Sequence, residues 1–169
     1  KEKQSLLDSM TAETSKLRSS LGGADKAILD EYLSNIRQVE GQLDRMEAWR
    51  HLATIVGHWH LRGFGMWGVF EKNSGALVGR AGFHQPDRWP DFELAWTVGR
   101  RWWGKGYATE AARRCLEFAF QEMDRDHLVS LIDPENVASI RVAERIGETV
   151  EGEHDLDGHR LIVYGARRA

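Results

Sequence analysis

The sequence predicts an α+β fold in which a mostly antiparallel sheet is flanked by helices. Before residue 47, apolar residues recur every three or four positions, a spacing typical of amphipathic helices. From Phe64 onward, short alternating segments are separated by turn residues, as in strands joined by hairpins. A glycine-rich run at residues 101–106 then links a strand to a long amphipathic helix. With 169 residues, the chain can fill one core but is too short for two ordinary domains.

The first 46 residues predict an antiparallel helical hairpin. Its first helix ends at Gly22-Gly23, because glycine readily adopts the left-handed conformation that stops a helix. Its second helix carries apolar residues from Leu29 onward with the spacing of a coiled-coil seam. We therefore divide the chain into a helical segment at residues 1–46 and a domain at residues 47–169.

Within that domain, helical periodicity gives way to strands and then to alternating strands and helices. Asn73-Ser74-Gly75 and Asp157-Gly158 are the turn signals that separate strands into hairpins. In chain order the predicted elements are an amphipathic segment from Ala48 to about Trp59, strands at Met66 to Glu71, Ala76 to Phe83 and Asp91 to Gly99, a helix from Tyr107 to about Met123, a strand at His127 to Asp133, a helix starting at Asn136, and a hairpin of Thr149 to His154 with Arg160 to Tyr164.

The composition narrows the class of partner. A formal charge of −3 and a pI near 6.2 leave no basic stripe for phosphates, so we expect no nucleic-acid partner. No apolar run has the length of a membrane span, so we expect no membrane partner. The single cysteine excludes an internal disulfide, which fits a cytoplasmic location. Cys115 falls on the apolar face of the helix predicted from Tyr107, so we expect it in the core. The histidines lack the spacing of metal ligands, so we expect no metal.

The most informative stretch is Arg101-Trp102-Trp103-Gly104-Lys105-Gly106, which precedes a helix starting at Tyr107. Two glycines allow the backbone to approach a ligand closely, and the helix start directs N–H groups and a positive dipole end toward it. This arrangement predicts a pyrophosphate-binding loop. The alternative is a glycine-rich turn without a ligand.

Three known kinds of phosphate-binding loop are candidates for this run. A Walker A loop requires Ser or Thr after its lysine, whereas Gly106 follows Lys105. A dinucleotide fingerprint requires a third Gly or Ala where this chain has Thr109. The third pattern, Arg/Gln-x-x-Gly-x-Gly/Ala between a strand and a long helix, fits at every position.

That third pattern resembles the acyl-CoA loop of the GCN5-related N-acetyltransferases (GNAT). Downstream, Asn136 to Gly147 is similar to the RimJ/RimL-like branch, which acetylates protein N-termini and related amines. Segments Gly57 to Trp67 and Gly158 to Tyr164 agree, so the resemblance covers about residues 48–168. It implies a mixed, mostly antiparallel GNAT-like sheet flanked by helices, and direct transfer of an acetyl group from acetyl-CoA to a primary amine in a ternary complex.

The resemblance also implies roles for individual residues. Glu93 is the candidate general base, acting through water, and its apolar surroundings favour a raised pKa. A surface carboxylate or a structural ion pair is the alternative for Glu93. Ser139 matches the position whose hydroxyl meets the departing sulfur. The alternative for Ser139 is a structural place in the first turn of a helix that Asn136 caps. The residues expected to bind acetyl-CoA are Thr97, Val98, Arg101, Trp102, Trp103, Gly104, Lys105, Gly106, Tyr107, Ala108, Thr109 and Asn136.

The N-terminal region departs from the family pattern. Members of this branch open with a strand carrying alternating Leu and Arg, and no such strand precedes Ala48. We therefore expect the helical hairpin to replace the usual first strand. Residues 16–33 resemble a helical stretch of a bacterial secreted family, so the alternative function is a chimeric chain with a non-catalytic CoA-binding or helical oligomerisation module.

A homodimer is also predicted. Without a preceding strand, the segment Phe64 to Glu71 becomes a sheet edge with apolar neighbours. The coiled-coil seam from Leu29 to Met46 offers more apolar surface than a lone hairpin can bury. Exchange of helical arms between two chains covers both surfaces, whereas a hairpin folding back within one chain is the alternative.

Overall fold

The structure, a computed structural model, describes residues 45–168, so the predicted hairpin lies outside the described residues except for its last two positions. The first described element is a helix that continues the helical pattern predicted from Ala48. The elements in chain order are α1 (Arg45–Arg62), β1 (Met66–Phe70), β2 (Leu77–His84), β3 (Glu93–Val98), a 3-10 turn (Arg100–Trp102), α2 (Tyr107–Gln121), β4 (His127–Ile132), α3 (Val137–Ile146), β5 (Thr149–Leu156) and β6 (His159–Arg167).

Within residues 45–168, internal contacts define two units, one comprising residues 45–56 and 71–77 and the other residues 57–70 and 78–168. In the first unit, the turn between β1 and β2 is closed by the Gly75 amide, which donates to the Glu71 carbonyl at 2.8 Å. The Ser74 hydroxyl donates to the Glu71 carboxylate at 2.5 Å, which confirms this segment as the predicted hairpin turn. In the range 45–168, no helix is both long and apolar enough to cross a membrane.

The six strands form one sheet in the order β1-β2-β3-β4-β6-β5. The pairs β2–β3, β4–β6 and β5–β6 are antiparallel, whereas β3–β4 is parallel. The α+β class and the mixed, mostly antiparallel sheet are therefore confirmed. Over the described residues, β1 occupies one edge of the sheet.

The parallel pair β3–β4 is the feature that opens the sheet. Its register contains one Cα pair, Glu93 with Val129. One residue earlier on β3, the Phe92 carbonyl accepts from the Val129 amide at 3.0 Å. Beyond Glu93 the ladder stops, whereas β2 continues to pair with β3 as far as Val98. The two central strands therefore part at Glu93 and leave an opening toward their C-terminal ends.

The apolar face of α2 fills the core beside this opening. Its buried residues come at helical spacing: Ala112, Cys115, Leu116 and Ala119. They belong to one apolar cluster with Phe83, Phe92, Leu94 and Leu128, which are at most 1% exposed. The prediction that Cys115 is a core residue is confirmed, and burial raises the pKa of its thiol to about 11. A neutral, buried thiol disfavours a covalent acyl-cysteine route.

Several predicted boundaries shift for local reasons. The helix expected to reach Met123 ends at Gln121, because Asp124 adopts a left-handed φ of 50° just after it. The strand expected from Asp91 begins at Glu93, since the Asp91 carboxylate accepts from the Phe92 amide at 2.7 Å in a local turn. The final strand continues to Arg167 rather than Tyr164, because β6 pairs along the whole of β4.

Candidate functional site

The glycine loop has the backbone that its sequence predicts. Gly104 and Gly106 have φ values of +75° and +87°, which side chains other than glycine rarely adopt. A Cβ atom added at either position meets no heavy atom of the described residues within 4 Å. Gly106 is the N-cap of α2 and provides no side chain to satisfy the amides of the first helical turn. The loop therefore presents open space and helix-end N–H groups, which fit a pyrophosphate.

Aromatic and cationic side chains surround this loop. Lys105 Nζ lies 4.6 Å from the centre of the Trp102 ring, and the Arg101 guanidinium lies 5.2 Å from it. Tyr107 meets the same ring edge-on at 5.8 Å. Because Arg101 and Lys105 are exposed, their charges remain available to phosphates approaching the loop.

Thr97 and Val98, the predicted partners of the pantetheine arm, lie at the end of β3. The Trp103 indole N–H donates to the Val98 carbonyl at 2.7 Å, so this carbonyl is tied to the loop. Thr97 is exposed and is registered with Arg80 of β2. Alternation along β3 places the backbone of Trp96 on the same edge as Val98, facing the opening beside β4.

Glu93 is buried where β3 and β4 part, with 7% of its surface exposed. Its carboxylate accepts from the Trp89 indole N–H at 2.8 Å and from the backbone N–H of Leu131. Burial raises the pKa of Glu93 to about 7, although the two N–H donors act in the opposite direction. A carboxyl with a pKa near neutrality matches the requirement for a general base.

A stacked pair of histidines lies beside Trp89, and one of them contacts its ring. The Trp89 ring contacts His84 edge-on at 5.0 Å, and His84 stacks on His58 at 4.8 Å. The buried His58 accepts from the Gln85 amide at 3.0 Å, which fixes its ring. The carboxylate of Glu93 is thus oriented by an aromatic stack that sequence analysis did not identify, because its members come from α1, β2 and the loop before β3.

A cleft of about 130 Å³ occupies the opening between the two strands. Ser139 lies half-buried in the first turn of α3, and Asn136 caps that helix by accepting from the Ser139 amide at 3.1 Å. The predicted capping role of Asn136 is therefore confirmed. The cleft brings Glu93, Asn136 and Ser139 together although they are distant in sequence. Its lining residues are Glu93, Leu94, Ala95, Trp96, Ser130, Leu131, Ile132, Asp133, Asn136 and Ser139.

Two further polar residues in this region are buried. Ser130 is 2% exposed and Glu148 is 3% exposed, and their side chains are hydrogen-bonded at 2.9 Å. The sequence signal for Ser130 was weak, because a single serine inside an apolar strand is common. Glu148 directly follows Gly147, the glycine that ends α3, and no local pattern in the sequence indicates its burial.

The chain belongs to the GNAT acetyltransferase family. The model of the Acetyltransferase (GNAT) domain matches residues 23–149, most of the chain. The matched range begins inside the segment predicted as a hairpin. The glycine loop at residues 101–106 and the opening between β3 and β4 lie within this match. The resemblance to the family is therefore confirmed.

Solved structures agree with this assignment. An acetyltransferase from Agrobacterium tumefaciens str. C58 is 30% identical, with a TM-score of 0.69 and coverage of 88% of both chains. A candidate ribosomal-protein-serine acetyltransferase from Vibrio cholerae is 25% identical, with a TM-score of 0.66 and coverage of 88% of this chain and 91% of that one. The family match and the fold therefore agree in placing the chain in the GNAT acetyltransferase family.

Among curated proteins, the N-acetyltransferase YnaD of Bacillus subtilis (strain 168), itself uncharacterized, is 33% identical over 84 residues. The uncharacterized protein YkkB of the same organism is 42% identical over 87 residues. These matches cover 50% of this chain, and the chain spans about half the length of each relative, 49% and 51% respectively.

Proposed function

We propose that this chain transfers an acetyl group from acetyl-CoA to a primary amine, a protein N-terminus or a small amine, in a ternary complex. The observation that carries the proposal is the cleft between β3 and β4, because Glu93 and Ser139 both line it. The same strand that carries Glu93 leads directly into the glycine loop, so one element connects the proposed acetyl-CoA site to the proposed base.

The glycine loop is the proposed site for the pyrophosphate of acetyl-CoA. Backbone N–H groups from Gly104 to Gly106 and the start of α2 would hold it, since both glycines leave space for close approach. The N–H groups of Trp102 and Trp103 donate instead to the Gly99 and Arg100 carbonyls, at 2.9 and 3.2 Å. Lys105 or Arg100, both exposed, would meet the ribose phosphate as a point charge. The backbone of β3 beside the opening would pair with the pantetheine arm.

Acetyl-CoA supplies the activated thioester. As the C–N bond forms and the C–S bond breaks, the amine nitrogen must lose one proton and the sulfur must gain one. Glu93 would take the proton of the amine through a water molecule, because its pKa lies near neutrality. The Ser139 hydroxyl would stabilise the departing sulfur by a hydrogen bond while the thiolate takes a proton from solvent.

The similarity to the candidate ribosomal-protein-serine acetyltransferase of Vibrio cholerae supports a protein as the acceptor class. The aromatic stack of His58, His84 and Trp89 beside Glu93 would form one wall of the acceptor entrance. Such a wall suits an extended peptide, whose backbone and side chains offer more contact than a small amine.

The edge position of β1 supports the predicted homodimer. Over the described residues, Met66, Trp67, Val69 and Phe70 are half-buried on this edge strand, and an exposed edge readily pairs with another chain. Light scattering should give twice the chain mass of 19.3 kDa. A single chain mass at micromolar concentration would reject the dimer.

The decisive test is a thermal shift followed by an acetylation assay. Acetyl-CoA at about 100 times its dissociation constant should add roughly 2.7 kcal/mol to the unfolding free energy. Turnover should then appear on a panel of amines and N-terminal peptides. Absence of a shift at millimolar acetyl-CoA would overturn the proposal. A shift without turnover on any acceptor would instead favour the non-catalytic CoA-binding module.

A further inference from the structure

The hydroxyl of Ser130 has more acceptors than it has hydrogens. Its Oγ lies 2.8 Å from the Leu94 carbonyl oxygen and 2.9 Å from Oε1 of Glu148. A serine hydroxyl carries one hydrogen, and a carbonyl oxygen cannot donate. Both contacts are full two-centre hydrogen bonds at the same time only when Glu148 is protonated and donates to Ser130, which then donates to Leu94.

The Leu94 carbonyl is the group that the parting of β3 and β4 leaves without a ladder partner. The register of the parallel pair ends at Glu93, one residue earlier. The Ser130 hydroxyl therefore replaces a backbone donor at the first position of the opening. Because Leu94 and Ser130 both line the cleft, this bond sets the distance between its two walls.

The position of Glu148 is fixed by the end of α3. Its amide donates to the Ala143 carbonyl at 3.0 Å and that of Gly147 donates to the Glu144 carbonyl at 3.2 Å, with Gly147 at a φ of +95°. This is the Schellman arrangement, in which the position of Glu148 commonly holds an apolar residue that packs back on the helix. A carboxyl at this buried position requires a specific explanation, and its Oε2 has no hydrogen-bond partner among residues 45–168.

The groups that face Glu148 disfavour its charge. Glu93 on β3 and Glu151 on β5 are negative neighbours, and β4 contributes the neutral Ser130 hydroxyl. Glu151 is partly compensated by His127 of β4 at 2.9 Å and by Arg167 of β6 at 3.6 Å. The pKa of Glu148 is raised to about 7. Burial is the largest cause and the two carboxylates add to it, whereas a hydrogen bond donated by Ser130 acts in the opposite direction.

Hydrogen bonding also decides which of the two buried carboxyls holds the proton. The Glu93 carboxylate accepts from two N–H groups, those of Trp89 and Leu131. Glu148 has only the Ser130 hydroxyl, whose hydrogen is also required by Leu94. Ionised Glu93 beside neutral Glu148 is therefore the arrangement that satisfies all of these groups.

We propose that Glu148 is a positioning residue that holds a proton in the active state: its carboxylic acid donates to Ser130, which donates to the Leu94 carbonyl and fixes β3 where it parts from β4. The inference rests on the proposed function, in which this cleft is the site of acetyl transfer. When Glu148 loses its proton, its carboxylate competes for the Ser130 hydrogen, the Leu94 carbonyl loses its donor, and a second negative charge stands beside Glu93.

The first experiment needs no activity. Side-chain carboxyl ¹³C NMR of the unliganded full chain should show Glu93 ionising at lower pH than Glu148, with Glu148 still protonated near neutrality. Glu93→Gln should lower the pKa of Glu148 by removing a negative neighbour. A Glu148 that is ionised from pH 5 upward, as an exposed glutamate is, would overturn the inference.

The second experiment is the pH dependence of kcat/KM on an acceptor that the chain acetylates. Ionisation of Glu93 and of the acceptor amine both raise the rate with pH, so an alkaline decline requires a group that must stay protonated. We expect the wild type to decline and Glu148→Gln, whose amide donates to Ser130 at every pH, to lose the decline. Glu148→Ala should fall at least about tenfold below Glu148→Gln at the same pH.

Glu151→Gln is the matched control, because Glu151 is a neighbouring carboxylate that does not bond Ser130. The alkaline decline of kcat/KM should persist in this variant. An alkaline decline retained by Glu148→Gln would overturn the positioning role even if the NMR titration succeeds. Failure of the proposed function is distinguishable, since it would remove acetyl-CoA binding and turnover in every variant while the carboxyl titrations of the unliganded chain remained as expected.

Discussion

The glycine loop at residues 101–106 and the cleft between β3 and β4 are two parts of one proposed site, but different interactions determine their chemistry. The loop is continuous in sequence, largely exposed, and acts through backbone N–H groups shaped by Gly104 and Gly106. The cleft is assembled from β3, β4 and α3, and its polar side chains are buried. Loop chemistry therefore follows from local conformation, whereas cleft chemistry follows from removal of carboxyls from water.

This difference predicts that the two regions can be damaged separately. A change in the loop should weaken acetyl-CoA binding without changing the titration of the cleft. A change in the cleft should alter the rate and its pH dependence without changing acetyl-CoA affinity.

The largest effect is expected for Glu93→Gln, which removes the proposed base. The rate should fall by roughly 10²–10⁴, the usual contribution of general-base catalysis, while acetyl-CoA affinity stays the same. Steady-state kinetics and a binding titration measure the two quantities. Glu117→Gln on the exposed face of α2 is the control. Full activity of Glu93→Gln at neutral pH would show that another group or water is the base.

The next effect concerns stability and pH. The pKa values of Glu93 and Glu148 are raised from 4.5 to about 7 by burial, so between these values the folded chain binds more protons than the unfolded chain. The unfolding free energy should therefore fall as pH rises from about 4.5 to about 7, by up to about 3 kcal/mol for each carboxyl.

Urea unfolding at pH 5 and pH 8 measures this loss. The double variant Glu93→Gln with Glu148→Gln should lack most of it, because neither amide titrates. A wild-type stability that rises over this range would contradict the assigned burial of the two carboxyls.

Gly106→Val should break the loop. The left-handed φ of +87° imposes a strain of about 1–3 kcal/mol on a β-branched residue, and the side chain would occupy the open space proposed for the pyrophosphate. Acetyl-CoA affinity should fall at least about tenfold. Gly152→Val is the matched control, because Gly152 also has open space around it but no left-handed φ. Equal affinity in both variants would remove the loop from the binding site.

The smallest effect separates the two residues at the start of α3. Asn136→Ala removes the cap that accepts from the Ser139 amide, and should cost about 1 kcal/mol of stability. Ser139→Ala should leave stability within about 0.5 kcal/mol, because its hydroxyl is not the cap, but should lower kcat. Thermal unfolding and kinetics distinguish the two. A loss of stability without loss of rate at Ser139 would leave it a structural residue only.

The elements whose signals are local were predicted well. The run from Arg101 to Gly106 named its family, because glycine positions and a helix start are written in consecutive residues. Cys115 as a core residue followed from helical spacing, and Asn136 as a cap followed from its residue type at the start of a helix. The strand ends were less accurate, since Asp91 and Asp124 make local turns that alternation does not reveal.

The sequence by itself determined the fold class, the family and the proposed acetyl-CoA loop, because periodicity and glycine placement act over a few residues. Only the tertiary structure decided that β3 parts from β4 at Glu93, that Trp89 donates to Glu93, and that the Leu94 carbonyl and the Glu148 carboxyl both contact the Ser130 hydroxyl. Burial and hydrogen-bond partners are properties of residues brought together from distant positions. No local pattern records them, and they set the protonation of both carboxyls.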